Sequence, residues 1–150
     1  MDVSLEDLYT PDILALATAI PHIGALDAPE GEAVAHSRLC GSRVVAQVRL
    51  DEAGRVADYA QQVNACALGQ ASAAILGEWV IGATLAELEE GRAALRRMLV
   101  EGAPPAGAWQ GLAVLARVRA VPQRHAAVLL PFDAAIAAVR DALAKREASA

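Results

Sequence analysis

A change of hydrophobic period at Cys66 is the feature that most constrains how this chain can fold. Before it, the segment Arg43 to Leu50 has apolar residues at every even position, with two arginines and a glutamine among the residues opposite. That alternation is typical of a half-buried strand. After Cys66 no alternating run occurs, and apolar residues recur at helical spacing. The sequence therefore predicts strands in the first half and helices in the second.

Turn signals place two further strands beside the first. Asp51-Glu52-Ala53-Gly54 is a short turn, after which Arg55 to Val63 can return as an antiparallel partner. Ala33 to Leu39 is a plausible third strand. A helix over Pro11 to Ile20 is predicted ahead of them, because Thr10 followed by proline is a favourable helix start.

Four helices are predicted after the strands. Thr84-Leu85-Ala86-Glu87 is a capping-box sequence that opens the clearest of them, which ends at Gly102. The others are Cys66 to Val80, a short helix around Leu112 and Leu115, and Asp133 to Arg146. We expect one α+β domain over residues 1–150, a three-stranded antiparallel sheet packed on one side by the helices.

Charge and hydropathy exclude several classes of function. With 13 basic and 18 acidic residues the formal charge is -5. The chain therefore lacks the excess of positive charge that binds the phosphates of nucleic acid. Residues 1–9 carry no basic region followed by an apolar run, and charged residues interrupt every alanine-rich stretch. We expect a cytoplasmic protein with no nucleic-acid or membrane partner. Its two cysteines then predict thiols or metal ligands rather than a disulfide.

The segment NACALGQASAAILGEWVIGATLAELEEG, Asn64 to Gly91, resembles the central motif of the U-type iron-sulfur cluster assembly scaffolds. These are IscU, SufU and the N-terminal domain of NifU. In that family a cysteine ends the last strand and a helix rich in alanine and serine follows. A glycine with a small residue and a threonine or serine then opens the next helix. Cys66, Ala71-Ser72, Gly82 and Thr84 stand at those places.

Two flanking segments resemble the family in the same order. Leu39-Cys40-Gly41 is similar to the family's Cys-Gly-Asp loop, with Ser42 in place of the aspartate. The segment from Pro122 to Leu129, with His125 at its centre, resembles an Arg-x-His-Cys or Arg-x-Lys-Cys stretch at the start of the last helix. Ala126 replaces the third cysteine there.

The resemblance implies a SufE/NifU-like fold and a role in cluster assembly rather than an enzyme activity. Such a protein accepts persulfide sulfur from a cysteine desulfurase, gathers iron, builds a transient [2Fe-2S] cluster and passes it to acceptor proteins. Cys40, Cys66 and His125 would then be the cluster or metal ligands, two sulfurs and one nitrogen that also suit zinc. A fourth ligand would come from outside, for example from a second protomer in a homodimer or from a small thiol.

Two other functions remain open at this point. The chain could relay sulfur through Cys40 or Cys66 without holding a cluster, or it could be a regulator that kept only the fold. Each residue also has a purely structural interpretation: Cys66 as a small buried hydrophobe, Cys40 as an inert thiol and His125 as a helix-start residue. We interpret His22 and His36 as surface histidines.

Two further groups of residues are predicted to be structural. Trp79 and Trp109 fall where helix packing explains them. The charged run after Thr84 predicts a solvent-facing helix with ion pairs three and four residues apart. It consists of Glu87, Glu89, Glu90, Arg92, Arg96 and Arg97.

Overall fold

A computed structural model describes residues 5–38 and 41–150 of the chain, apart from the side chains of residues 5 and 6. The helices in this part of the chain are α1 (Leu5–Leu8), α2 (Pro11–Ala17), α3 (Ala67–Trp79), α4 (Leu85–Glu101) and α5 (His125–Ser149). The strands are β1 (Gly31–His36), β2 (Arg43–Leu50) and β3 (Val56–Asn64). Two 3-10 helices, Gly107–Ala120 and Pro122–Arg124, connect α4 to α5.

The three strands form one antiparallel sheet in the order β1-β2-β3. The predicted α+β class is therefore confirmed, and β2 has the predicted limits. Its apolar residues at even positions are all buried, and they face the helical layer. The turn at residues 51–54 joins β2 to β3, and a register shift lies next to it, between Arg49 and Leu50. Strand β1 begins and ends earlier than predicted.

Helix α5 is the element on which the sheet and the helices α3 and α4 pack. It contacts β1 and β2 on one side and α3 and α4 on the other. At Gly31 the strand lies so close to α5 that an added Cβ would come within 2.1 Å of the carbonyl oxygen of Ala138. Only glycine allows that approach, because any side chain at this position would clash with the backbone of α5.

The prediction that the last helix spans Asp133 to Arg146 is wrong at its start. The helix begins at His125 and continues through Pro131. Proline lacks an N–H, so Pro131 leaves the carbonyl of Ala127, four residues earlier, without its usual helical partner. A proline inside an apolar run is a signal that favours a helix boundary, and tertiary packing overrides it here.

Helix α4 matches its prediction closely. The hydroxyl of Thr84 accepts a hydrogen bond from the N–H of Glu87, and the Glu87 carboxylate accepts one from the N–H of Thr84. The helix ends at Gly102, which adopts φ 77°, a left-handed conformation that glycine adopts without strain. No helix within residues 5–38 and 41–150 is both long enough and apolar enough to cross a membrane.

The two tryptophans differ in environment. Trp109 is buried, and its ring meets Phe132 edge-on with 5.4 Å between the ring centroids. Trp79 is the last residue of α3 and is 49% exposed. The prediction that helix packing explains both is thus right for Trp109 and wrong for Trp79.

Candidate functional site

One end of the sheet gathers the segments that carry the predicted site. Arg43 pairs with His36 of β1 on one side and with Asn64 of β3 on the other. The connection between β1 and β2 therefore lies at the same end as the end of β3, which leads into Cys66. The turn at Asp51 lies at the opposite end.

In the connection between β1 and β2, backbone hydrogen bonds join the described residues on either side of the first cysteine. The N–H of Ser37 donates to the carbonyl of Ser42 at 2.9 Å, and the N–H of Gly41 donates to the carbonyl of Ser37 at 2.9 Å. Gly41 has φ 71°, which favours glycine. Ser42, at the position of the family's aspartate, is buried. Cys40 itself lies outside the described residues, so its assignment as a ligand stays a prediction.

Cys66 is the N-cap residue of α3. Its backbone is extended (φ -66°, ψ 168°), and its side chain makes no capping hydrogen bond. The thiol is free and partly exposed, at the edge of the hydrophobic core. A helix N-terminus presents unpaired N–H groups and the positive end of the helix dipole, which favour an anionic ligand or group. The structure thus leaves the Cys66 sulfur available for chemistry, and its position at the helix start is as predicted.

The first turns of α3 and α5 pack directly against each other. Gly69 is the third residue of α3, and an added Cβ there would lie 3.1 Å from the carbonyl oxygen of Ala127, the third residue of α5. One turn further along α3, the buried hydroxyl of Ser72 donates to the carbonyl of Val128 at 2.5 Å. This contact brings the helix start that bears Cys66 next to the helix start that bears His125.

The His125 ring is oriented by the backbone of the preceding 3-10 helix. Its Nε2 lies 3.0 Å from the carbonyl oxygen of Val118 and 3.3 Å from that of Arg119. Both partners can only accept, so we assign the proton to Nε2, and Nδ1 then carries the lone pair. Histidine ligands of metals commonly hold the second ring N–H on a carbonyl in this way. The arrangement therefore suits a ligand that binds through Nδ1.

The described residues do not by themselves complete a metal site. Within residues 5–38 and 41–150, no three histidine, cysteine, aspartate or glutamate side chains are grouped so that they could hold a metal ion. Ala126, at the position of the family's third cysteine, is the second residue of α5. His22 and His36 are exposed, as predicted.

Sequence reasoning missed the residues that join the two helix starts. Ser72 lies inside the recognised motif, but no role was predicted for it, and none was predicted for Gly69. The available signal is their spacing, because small residues three apart on one helix face allow another helix to approach closely. The partner carbonyls on α5 have no signature in the sequence.

Comparison with known proteins decides the family. The family model for the NifU-like N terminal domain matches residues 8–103, which include Cys66 and all of α3 and α4. A crystal structure of a nitrogen-fixing NifU-like protein (N-terminal) from Brucella abortus is 41% identical, with a TM-score of 0.87 over 93% of this chain and 96% of that one. The chain belongs to the NifU-like N terminal domain family. No curated protein matches the sequence.

Two more distant structures share the NifU-like fold. A putative iron-sulfur cluster assembly scaffold protein for the SUF system, from Fervidobacterium islandicum AW-1, is 20% identical with a TM-score of 0.81, covering 91% of this chain and 99% of that one. A hypothetical protein is 24% identical with a TM-score of 0.75, covering 86% and 94%. The resemblance to the U-type scaffolds is confirmed, and this membership fits a protein that is not an enzyme in the usual sense.

Proposed function

We propose that this NifU-like domain, spanning residues 1–150, is an iron-sulfur cluster assembly scaffold of the cytoplasm. Cys40, Cys66 and His125 are its proposed ligands for iron or zinc and for a transient [2Fe-2S] cluster. The observation that carries the proposal is Cys66: it stands at the start of α3 inside the matched family segment, with its thiol free and partly exposed. A cysteine desulfurase and cluster acceptor proteins are the proposed partners.

The environment of Cys66 supports sulfur acceptance as its first chemical step. The Cys66 thiolate would attack the outer sulfur of a persulfide on the desulfurase, forming a new S–S bond while the old one breaks and the desulfurase cysteine leaves as a thiolate. This exchange needs no net oxidation. Conversion of the transferred sulfur to sulfide requires two electrons, which an external reductant must supply.

The orientation of His125 supports its role as the nitrogen ligand. Because the Nε2 proton is held on the carbonyls of Val118 and Arg119, the ring presents Nδ1 as its remaining ligand atom. With the sulfurs of Cys40 and Cys66 this gives three donors, which suit zinc with one open position. A two-iron cluster would need a fourth ligand from a second protomer or a small thiol.

The proposal is tested by reconstitution with ferrous iron, cysteine, a reductant and a cysteine desulfurase. We expect the visible absorption of a [2Fe-2S] cluster in the wild type. That absorption should be absent from Cys66→Ser and Cys40→Ser and reduced in His125→Ala. His36→Ala is the matched control, because His36 is an exposed histidine at the end of β1, and it should behave as wild type. Equal absorption in Cys66→Ser and the wild type would refute the proposal.

Sulfur relay is the second candidate function. It is favoured by Ser42 and Ala126, which stand where the family has two further ligands, because relay needs one thiol and a cluster needs four donors. Mass spectrometry after incubation with the desulfurase separates the two functions. One added sulfur on Cys66 without visible absorption would support relay. The absence of both the persulfide and the visible absorption would support a regulator that retains only the fold.

A further inference from the structure

A charged cleft of about 520 Å³ lies between α4 and α5, away from the candidate scaffold site. Its charged lining consists of Glu89, Arg92, Arg96, Arg97, Asp133 and Arg140. Its α5 residues begin eight positions after His125, which is about 12 Å further along the helix axis. The cleft therefore belongs to a different part of the surface, and the scaffold function does not account for it.

The ion pairs of this cleft differ from the prediction made for the charged run of α4. Glu89 pairs with Arg140 of α5 at 3.2 Å, and Arg92 pairs with Asp133 of α5 at 2.5 Å. The predicted pairs three and four residues apart do not form among the described residues. Arg97 pairs with Glu90 of the same helix, seven residues earlier, at 2.9 Å. The run thus joins α4 to α5 through Glu89 and Arg92, and its arginines line the wall of the cleft.

The cleft carries a surplus of positive charge on an acidic protein. Four guanidinium groups and two carboxylates line it, and Arg97 also pairs at 2.9 Å with Glu90, just outside the lining, whereas the whole chain has a formal charge of -5. Arg96 is exposed and has no ion pair or hydrogen bond within the described part of the chain. Three of the four arginines are thus paired with a carboxylate, and the remaining positive charge, that of Arg96, attracts an anion.

The paired arginines also retain donors for a ligand. Arg92 engages Asp133 through Nε, and Arg140 engages Glu89 through Nη2, so each guanidinium has other N–H groups without a partner in residues 5–38 and 41–150. The carboxylates hold these two arginines in position, which reduces the side-chain entropy lost when a ligand binds. Exposed ion pairs contribute little to stability, so an anion can share them at small cost.

We propose that this cleft binds a small phosphate-bearing molecule. A phosphate group offers two charges and three acceptor oxygens, which match the bidentate geometry of several guanidinium groups better than a single carboxylate does. The cleft volume falls within the range of small-ligand sites. Ala93 and Ala137 give it an apolar strip on each helix that can receive the uncharged part of such a molecule.

Inorganic pyrophosphate is the probe, titrated into the full chain by calorimetry at low salt. We expect Arg96→Gln to weaken binding about tenfold, the effect of removing one hydrogen bond between charged groups. Ala137→Phe keeps every charge and fills the cleft from an exposed position, so it should abolish binding. Arg49→Gln is the matched control, a half-exposed arginine on β2, and should bind as wild type.

Several outcomes would overturn the proposal. They are no binding of pyrophosphate, equal binding by all four proteins, or citrate binding as tightly as pyrophosphate, which would indicate unselective attraction of anions. Binding of a glutamate-rich peptide but not of pyrophosphate would also overturn it and would assign the cleft to an acidic protein partner. Arg140→Gln is tested in parallel, so the result does not depend on the folding of one variant. Cluster reconstitution of Arg96→Gln, expected at the wild-type level, separates this site from the scaffold site.

Discussion

At the scale of single residues, small side chains set how closely the two halves of the candidate site approach. Gly69 lets the first turn of α3 reach the carbonyl of Ala127. The buried hydroxyl of Ser72 stabilises the contact by donating a hydrogen bond to the carbonyl of Val128. The carbonyl that Gly69 approaches is the one that Pro131 leaves without a helical N–H. Three residues without catalytic chemistry therefore determine where the Cys66 and His125 helices meet.

Replacing Ser72 by alanine should lower the free energy of unfolding by about 1 kcal/mol, because the variant loses a buried hydrogen bond to Val128. Ser149→Ala is the matched control, since that serine also donates to a helix carbonyl, that of Lys145, but is exposed. Alanine favours helix over serine at both positions, so the difference between the variants isolates burial. Urea unfolding measures it, and equal stabilities would contradict the argument.

Residue patterns predicted the site only where local chemistry determines the structure. The N-cap position of Cys66 follows from the end of one strand and the start of an alanine-rich helix. The ring orientation of His125 depends on carbonyls of Val118 and Arg119, whose positions come from the path of a 3-10 helix. No side-chain type encodes such a partner, so this part of the site could not be predicted.

At the scale of elements, the contact of β1 with α5 fixes the spacing between the sheet and the helical layer. Gly31 is the residue of closest approach: besides the Ala138 carbonyl, the backbone nitrogen of Ala142 would lie 2.7 Å from its added Cβ. Neither is the end of a flexible side chain, so α5 could not move aside without moving its whole backbone. The spacing therefore depends on one glycine.

Gly31→Ala should lower the free energy of unfolding by about 1 to 3 kcal/mol, the range for an overpacked core. Gly111→Ala is the control, because an added Cβ there meets only the side chain of Ile75 at an ordinary 3.7 Å. With no clash, the control should be neutral or more stable by up to about 1 kcal/mol. Guanidinium unfolding of both variants measures these changes. An unchanged free energy of unfolding in Gly31→Ala would mean that the sheet and α5 can move apart at little energetic cost.

The elements differ in how far the sequence predicted them. Strand β2 and helix α4 have strong local signals, alternation in one and a capping box with a terminal glycine in the other, and both have the predicted limits. The start of α5 has no capping side chain and contains Pro131, so local signals favour a later start. Packing of its first turn on α3 stabilises the helix there, and that contact is between residues distant in sequence.

At the scale of the whole molecule, Arg146 joins the C-terminal helix to the sheet at the end opposite the candidate site. Its guanidinium pairs with the Glu30 carboxylate at 2.9 Å and donates to the carbonyls of Leu50 and Asp51, each at 2.8 Å. Helix α5 is therefore anchored at both ends, by His125 and Ser72 contacts near its start and by Arg146 near its last turn.

This anchor makes stability depend on pH. The hydrogen bond from Arg146 is the main cause that holds the pKa of Glu30 below its usual 4.5, and the N–H of Leu50 adds to it. A carboxylate whose pKa is lowered by folding contributes stability that is fully present above its unfolded pKa and is lost as the pH falls through its folded pKa. The contribution should therefore be constant above about pH 5 and decline below pH 4.5.

Comparing the wild type with Glu30→Gln by urea unfolding at a series of pH values tests this expectation. The difference in unfolding free energy should be largest and constant near neutral pH and should shrink as the pH falls below 4.5. The difference in unfolding free energy between the wild type and Arg146→Gln should shrink over the same pH range, because the lowered pKa of Glu30 depends on that guanidinium. Subtracting the unfolding free energy of a variant from that of the wild type cancels the contributions of other acidic groups. These include Asp141, whose pKa is lowered mainly by a hydrogen bond from Lys145. A difference that stays constant from pH 7 to 3 would show that folding does not lower the pKa of Glu30.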